Sequence, residues 1–303
     1  MRDWLWIPIT IFAAFMQNAR TMVQRHLKGR LSTNGANYTR FVFGMPIALG
    51  WVAVLALGAG HALPAPAPRF FAWVTLGGVA QILATSMLIE AMTRRNFAAG
   101  VAWSKTEAVQ AALFETIVLG AALSLGGVAA IVVATIGVML ISVQKSERPL
   151  AALLTGWTEL AALLGLASGA LFGIAAVGFR AASLSLGDGP FLMNAGYTLA
   201  WAQGIQTLLL GAFLAWREPG QLAAVRANWR IASLAGLTGT LGSIGWFTAM
   251  TLQLVAYVRT LGLIELVFTF LAARFFFGER ASRTELVGIL LLVAGIALVL
   301  NRG

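Results

Sequence analysis

Long apolar runs, each closed by a short polar or basic segment, follow one another along the chain. They occupy residues 4–27, 34–57, 70–92, 97–120, 123–143, 156–179, 190–214, 229–250, 254–277 and 284–301. Each run approaches the ~20 residues that an α-helix needs to cross a bilayer core. The pattern predicts an all-α membrane protein of about ten transmembrane helices. Short connections make consecutive helices antiparallel neighbours. The first connection is basic (Arg25, Lys28, Arg30), and the second, Leu63 to Arg69, is a stiff proline-rich run. Asp188-Gly189-Pro190 reads as a turn feeding the seventh helix. Pro46 lies well inside the second run and should kink it. The polar stretch from Gln144 to Pro149 is the expected boundary between two halves, residues 1–148 and 149–303.

Composition sharpens this picture. Hydrophobic residues make up 59% of the chain, charged residues 11%, and mean hydropathy is +0.84. Soluble domains carry about 25% charged residues, so lipid is the expected solvent. There is no cysteine, which excludes disulfides and thiolate metal sites. The net charge of +10 invites a nucleic-acid reading. Its basic residues sit mostly at span ends, however, where they orient helices and meet anionic lipid. Lipid is therefore an expected partner and nucleic acid is not. The first run is too long for a cleaved signal peptide and lacks its basic start and small-residue cleavage site. On the side that holds both termini lie Arg2, Arg69, Arg180 and Arg302. The opposite side holds Arg25, Lys28, Arg30, Arg94, Arg95, Lys145, Arg148, Arg217, Arg226, Arg230, Arg280 and Arg283. By the positive-inside rule both termini face away from the cytoplasm.

An internal repeat carries more than any one motif. A shift of 158 residues lays Glu107 on Glu265, Gly120 on Gly278, Ser124 on Ser282 and Gly137 on Gly295. Val109 then meets Val267, Leu113 meets Leu271 and Ile131 meets Ile289, without a gap. Two halves of five helices must insert with opposite orientation, because five is odd. Such inverted repeats recur in transporters, with the substrate site near the midplane between them.

The last two runs read IELVFTFLAARFFFGER (Ile264 to Arg280) and ELVGILLLVAGIALVL (Glu285 to Leu300). They resemble the closing helices of ten-helix exporters in the drug/metabolite transporter superfamily. There an acidic-Pro-Val stretch leads to a Leu-Gly-Glu turn and a final glycine-containing helix. Phe277-Gly278-Glu279 looks like that turn, and Leu266 stands where the family often has proline. Motif-level likeness covers this last fifth; span count and duplication extend it to the whole chain. Within the superfamily, the aromatic-lined middle looks most like exporters of aromatic and other neutral amino acids.

A charged side chain at a helix centre costs ~2.5–3.5 kcal/mol on insertion scales, so it must face a partner or water. The fourth run places Lys105 and Glu107 near its middle. In a regular helix they point to nearly opposite sides and cannot pair. Trp103, Glu107 and Gln110 share a face, with Glu115 two turns beyond Glu107. The ninth run offers a mirrored set: Gln253, Tyr257, Arg259 and Glu265. Each ion has a packing alternative, as a buried interhelical pair or, for Arg259, as a side chain reaching the interface. Polar stripes mark the first run (Thr10, Gln17, Thr21, Gln24), the third (Gln81, Thr85) and the eighth (Ser233, Thr240, Ser243). Singly, such stripes often serve as interhelical glue; together they favour a shared aqueous cavity, with Trp157 and Trp246 as further lining. Gly165, Gly169 and Gly173 form a small-residue face for close helix packing.

No nucleotide loop, nucleophile elbow or HExxH motif occurs, and His26 and His61 lie at span ends without metal-ligand spacing. Neither enzyme activity nor a metal or cofactor is expected. The expected function is export of small zwitterionic metabolites, aromatic and neutral amino acids among them, by a monomer in a bacterial-type inner membrane. Lys105 would meet a carboxylate, Glu107 or Glu265 an ammonium, and Trp103, Trp246 and Tyr257 an apolar side chain. Gln17, Gln81, Trp157 and Arg259 complete the candidate substrate site. Alternatives are export of a drug-like or sugar-derived metabolite, a membrane-embedded lipid-modifying enzyme, or a non-catalytic assembly subunit.

Overall fold

The computed structural model describes residues 4–27, 30–92, 94, 97–143, 159–275 and 282–302. Trp157, the 144–149 boundary segment, the Phe277-Gly278-Glu279 turn, and Arg2, Lys28, Arg95, Lys145, Arg148 and Arg280 lie outside the described residues. Within them the chain is all-helical. The first part contains α1 (Trp6–Leu27), α2 (Thr33–Val42), α3 (Met45–Ala53), α4 (Pro68–Met92), α5 (Phe97–Ser104), α6 (Glu107–Leu119) and α7 (Leu125–Val143). The second contains α8 (Leu160–Ser185), α9 (Phe191–Arg217), α10 (Pro219–Ala227), α11 (Trp229–Leu252), α12 (Val255–Gly262), α13 (Ile264–Phe275) and α14 (Arg283–Arg302).

Among the described residues, six segments are long and apolar enough to cross a membrane. They are Thr33–Gly58, Pro68–Met92, Leu125–Val143, Leu160–Ser185, Phe191–Arg217 and Arg283–Asn301. The other four expected spans differ from these in two ways. Helices α1 and α11 are long, at 22 and 24 residues, but carry the polar stripes. The fourth and ninth runs are each broken into two shorter helices. A further interruption falls at Phe43-Gly44, with Pro46 in the first turn of α3. Proline has no N–H to donate and suits that position.

The chain divides into two compact units, each drawing on both sides of residue 148. The first comprises Met1–Ile82 with Gly178–Gln253, and the second Leu83–Val177 with Leu254–Gly303. In the first unit, α1 packs along α11, where Gly242 and Gly245 admit its backbone. A Cβ on Gly245 would stand 2.8 Å from the Ala13 Cβ. The start of α2 is held by the α9–α10 junction. Ser32 caps the helix by accepting from Gly35 N at 3.0 Å, while its own N–H donates to Gln221 Oε1 at 2.8 Å. Asn34 donates to Glu218 at 2.7 Å. At the far end of α11, the Arg180 guanidinium donates to the carbonyls of Met250 and Gln253, a cation at the negative end of a helix.

In the second unit α7 and α14 pack at glycine-to-backbone distance. A Cβ on Gly137 would lie 2.6 Å from Gly288 O, and one on Gly295 2.6 Å from the Ala134 Cβ. The Gly165, Gly169 and Gly173 face of α8 receives Gly100, Ser104 and Ala111 from α5 and α6. Ser168 adds a hydroxyl bond to Ala84 O at 2.8 Å.

Candidate functional site

The candidate residues fall into two groups, one in each unit. The second unit holds Trp103, Lys105, Glu107, Tyr257, Arg259 and Glu265, and the regular helix assumed for the fourth run is not what holds them. Helix α5 ends at Ser104 and α6 starts at Glu107, so Lys105 and Thr106 form a turn. Lys105 N bonds to Ala102 O at 3.0 Å and Thr106 N to Trp103 O at 3.2 Å, a tightened three-residue spacing. The Thr106 hydroxyl also donates to Trp103 O, at 2.6 Å, offering that carbonyl an alternative to the helical ladder. Gln110 fixes the turn by donating to Thr106 Oγ1 at 2.7 Å and Leu166 O at 3.3 Å. Gly169 leaves the space, since a Cβ there would approach Ser104 O to 2.9 Å.

The ninth run breaks in the same way. Helix α12 ends at Gly262 and α13 begins at Ile264, with Leu263 N bonded to Thr260 O at 3.2 Å. Both bounds of α12 lie 158 residues after those of α5. The break at Leu263 thus has the register position of Lys105. Each break puts a glutamate, Glu107 or Glu265, in the first turn of the following helix, where the positive end of the peptide dipoles favours a carboxylate.

Glu107 has a cation beside it. Arg259 Nε lies 3.0 Å from Glu107 Oε1, with side-chain exposures of 17% and 21%. The two atoms are misaligned for a hydrogen bond, so the contact acts as a charge pair. Lys105 is half-buried and, among the described residues, forms no ion pair. The Trp103 indole Nε1 is buried without an acceptor. Tyr257 is buried against Gly127, whose Cβ would fall 2.1 Å from the phenolic oxygen. Glu115, fully buried, accepts from Val255 N at 3.1 Å and so caps α12. Glu115 is outside the expected substrate set, and its spacing from Glu107 gave no hint that it caps a helix.

The first unit holds Gln17, Gln81 and Trp246. Gln81 accepts from Gln206 Nε2 at 2.6 Å and lines a polar cavity with Arg40, Gln203, Gln206 and Ser243. Leu199 and Phe247 supply apolar wall, and the space holds about one water (≈ 10 Å³). Gln203 donates to Thr240 Oγ1 at 3.1 Å, leaving its carbonyl oxygen buried without a donor. The Arg40 guanidinium stands 4.4 Å from the Phe41 ring centre. Gln17 is half-buried and Trp246 buried; neither lines this cavity. Arg40, Gln203 and Gln206 were not among the candidates. Their signal was an arginine and two glutamines inside the second and seventh runs. Among the described residues no group of three His, Asp or Glu side chains is placed to hold a metal.

Residues 159–301 match the model of the EamA-like transporter family. Those residues, just under half of the chain, are similar to that family, which is part of the drug/metabolite transporter superfamily. The match begins ten residues after the expected boundary and runs almost to the end of α14. A solved crystal structure is similar over 99% of this chain and 99% of that one, with a TM-score of 0.70 at 17% identity. At that identity the likeness shows the fold. No curated protein matches the chain as a sequence relative. The family likeness and the apolar helices support a multi-pass integral membrane protein, and the likeness suggests a membrane transporter of the drug/metabolite type.

Proposed function

We propose that this EamA-like protein is a ten-span exporter, built as two inverted five-helix repeats and resident in a bacterial-type inner membrane. It moves small zwitterionic metabolites, aromatic and neutral amino acids among them, by alternating access. The observation that carries this reading is the pair of breaks 158 residues apart, one of which holds a half-buried lysine with no ion-pair partner among the described residues. Broken helices recur at transporter substrate sites because their ends present polar backbone and dipole to a solute.

An amino acid offers a carboxylate, an ammonium and a side chain. Lys105 takes the carboxylate. Glu107 or Glu265, each at the start of a half-helix, takes the ammonium. Trp103 gives an apolar face, and its indole N–H a further donor. In this reading Arg259 positions Glu107 and Tyr257 packs the entry to α12.

The test is flux into liposomes holding the purified protein, with labelled aromatic and aliphatic amino acids, sugars and cationic drugs. Selective, saturable movement of amino acids is expected. Flux confined to sugars or cationic drugs would refute the substrate class. Chemical conversion of a lipid without solute movement would refute the transporter reading.

A further inference from the structure

The connection from α9 to α11 carries two copies of one dipeptide. Trp216-Arg217 closes α9 and Trp229-Arg230 opens α11, with the nine residues of α10 between them. Helix α9 is a membrane-length apolar segment, and nine helical residues reach only ~13 Å, far short of the ~30 Å hydrocarbon core. Helix α10 therefore lies along one membrane surface. Its inner side is anchored in protein. Val225 is buried in a cluster with Leu27, Leu31, Ala36 and Ala235, and Gln221 accepts from Ser32 N. Its outer side, with Ala223, Arg226 and Ala227, is exposed.

The exposed groups of this corner suit a lipid headgroup. Trp216 is 75% exposed and Trp229 55%, and an indole at a membrane surface settles at headgroup level. Each ring carries a guanidinium on its face, Arg217 at 4.6 Å and Arg230 at 5.7 Å from the ring centre, which holds the cation at that level. Among the described residues none of Arg217, Arg226 and Arg230 pairs with a carboxylate. The only acid between Trp216 and Arg230 is Glu218, and its two oxygens accept from Ser32 and Asn34. The corner offers planar donor forks, which match phosphate with paired bonds. What separates a lipid from a soluble phosphate is the surface beside the cations. At helical spacing Arg230 is followed by Leu234 and Leu237, and Trp216 is preceded by Phe213 and Leu209. All four are exposed apolar side chains. Cation and indole stand at the head of bare apolar stripes, just as phosphate and acyl chain are joined in one molecule.

We propose that the α10 corner is a binding site for an anionic phospholipid, with phosphate on Arg217, Arg226 and Arg230 and acyl chains along the stripes they head. The site depends on the membrane setting of the chain and not on which solute it moves, so it stands or falls apart from the export reading.

Thermal unfolding of the purified full-length protein in a neutral detergent tests it, with phosphatidylglycerol, phosphatidylcholine of the same acyl chains and free glycerol phosphate as probes. Phosphatidylglycerol is expected to raise the unfolding temperature in a saturable way; phosphatidylcholine and glycerol phosphate are not. Arg217→Gln, Arg226→Gln and Arg230→Gln should each weaken binding about fivefold, as loss of one cation near anionic lipid does. The triple variant should lose the shift, and lysine at the three positions should keep part of it. Arg94→Gln removes an exposed cation in the second unit and should leave the shift intact. Should the triple variant fail to fold, native mass spectrometry of the single variants must still show fewer bound phosphatidylglycerol molecules than the wild type. The proposal is overturned if phosphatidylcholine stabilises equally, if glycerol phosphate alone produces the shift, or if the triple variant keeps it. It is also overturned if Arg94→Gln loses as much as the α10 variants, which would mark a diffuse charge effect.

Discussion

Removing either member of the Glu107–Arg259 pair should destabilise the second unit, and removing both should cost less than the sum. At 3.0 Å and an effective dielectric of ~20, the attraction is about 5 kcal/mol. Desolvation and the ordering of two long side chains offset much of that. The pair is mostly but not fully buried, at 17% and 21% exposure, so it lies between surface pairs and fully desolvated ones. A coupling energy of about 1–3 kcal/mol is therefore expected. Glu107→Gln and Arg259→Gln keep side-chain volume near the original, and each leaves one uncompensated charge. Equilibrium unfolding in mixed detergent micelles of the wild type, both single variants and the double variant yields the coupling. Strictly additive losses would refute the pairing. The same variants bear on function: a stable Glu107→Gln protein that has lost flux would place Glu107 against the solute.

Lys105→Met is expected to abolish or strongly weaken flux while leaving the protein monodisperse. Trp103→Ala should impair bulky aromatic solutes more than small ones; normal flux in a folded Lys105→Met protein removes Lys105 from the site. Glu115→Leu should lower stability by about 1–2 kcal/mol through loss of the cap on Val255 N, and Glu115→Gln by less, because its amide oxygen still accepts; equal losses in unfolding titrations would refute capping. Gly165→Ala puts a Cβ 2.0 Å from Gly100 O, so α8 and α5 must part, at about 1–3 kcal/mol; an unchanged unfolding midpoint would contradict this packing. A C-terminal alkaline phosphatase fusion should be active and a cytoplasmic fluorescent reporter dark, as the distribution of arginines requires; the reverse would overturn the orientation.

Helix class and the approximate positions of the six membrane-length apolar segments were legible because a bilayer imposes a coarse rule, about twenty apolar residues per crossing. The breaks were not. Lys105-Thr106 and Leu263 sit in apolar runs without proline or a glycine pair, and the turn at Thr106 depends on Gln110, Leu166 and Gly169, two of them from α8. Repeat matching did align Glu107 with Glu265, yet it was silent on why both lie where a new helix begins. Arg40 carries no comparable signal, because it is the lone charge in its run. One arginine flanked by Tyr38, Thr39 and Phe41 looks like a span end until Gly239 and Gln203 are seen beside it. The Arg259 partner of Glu107 was named on its own run but not matched to it, since pairing across some 150 residues has no periodic signature.

The long separation in sequence between those partners bears on how the protein is made. Glu107 and Glu115 emerge from the ribosome long before Arg259 and Val255, their partners in the folded chain. Until then the fourth run carries Lys105, Glu107 and Glu115, at ~2.5–3.5 kcal/mol for each ion placed near the core, against gains of ~0.3–0.6 kcal/mol per large apolar residue. Alone it is a poor client for the insertion machinery. The fourth run is therefore expected to settle into the bilayer only once α12 has been made, and a chain truncated before Val255 should insert that run less well than the full-length chain.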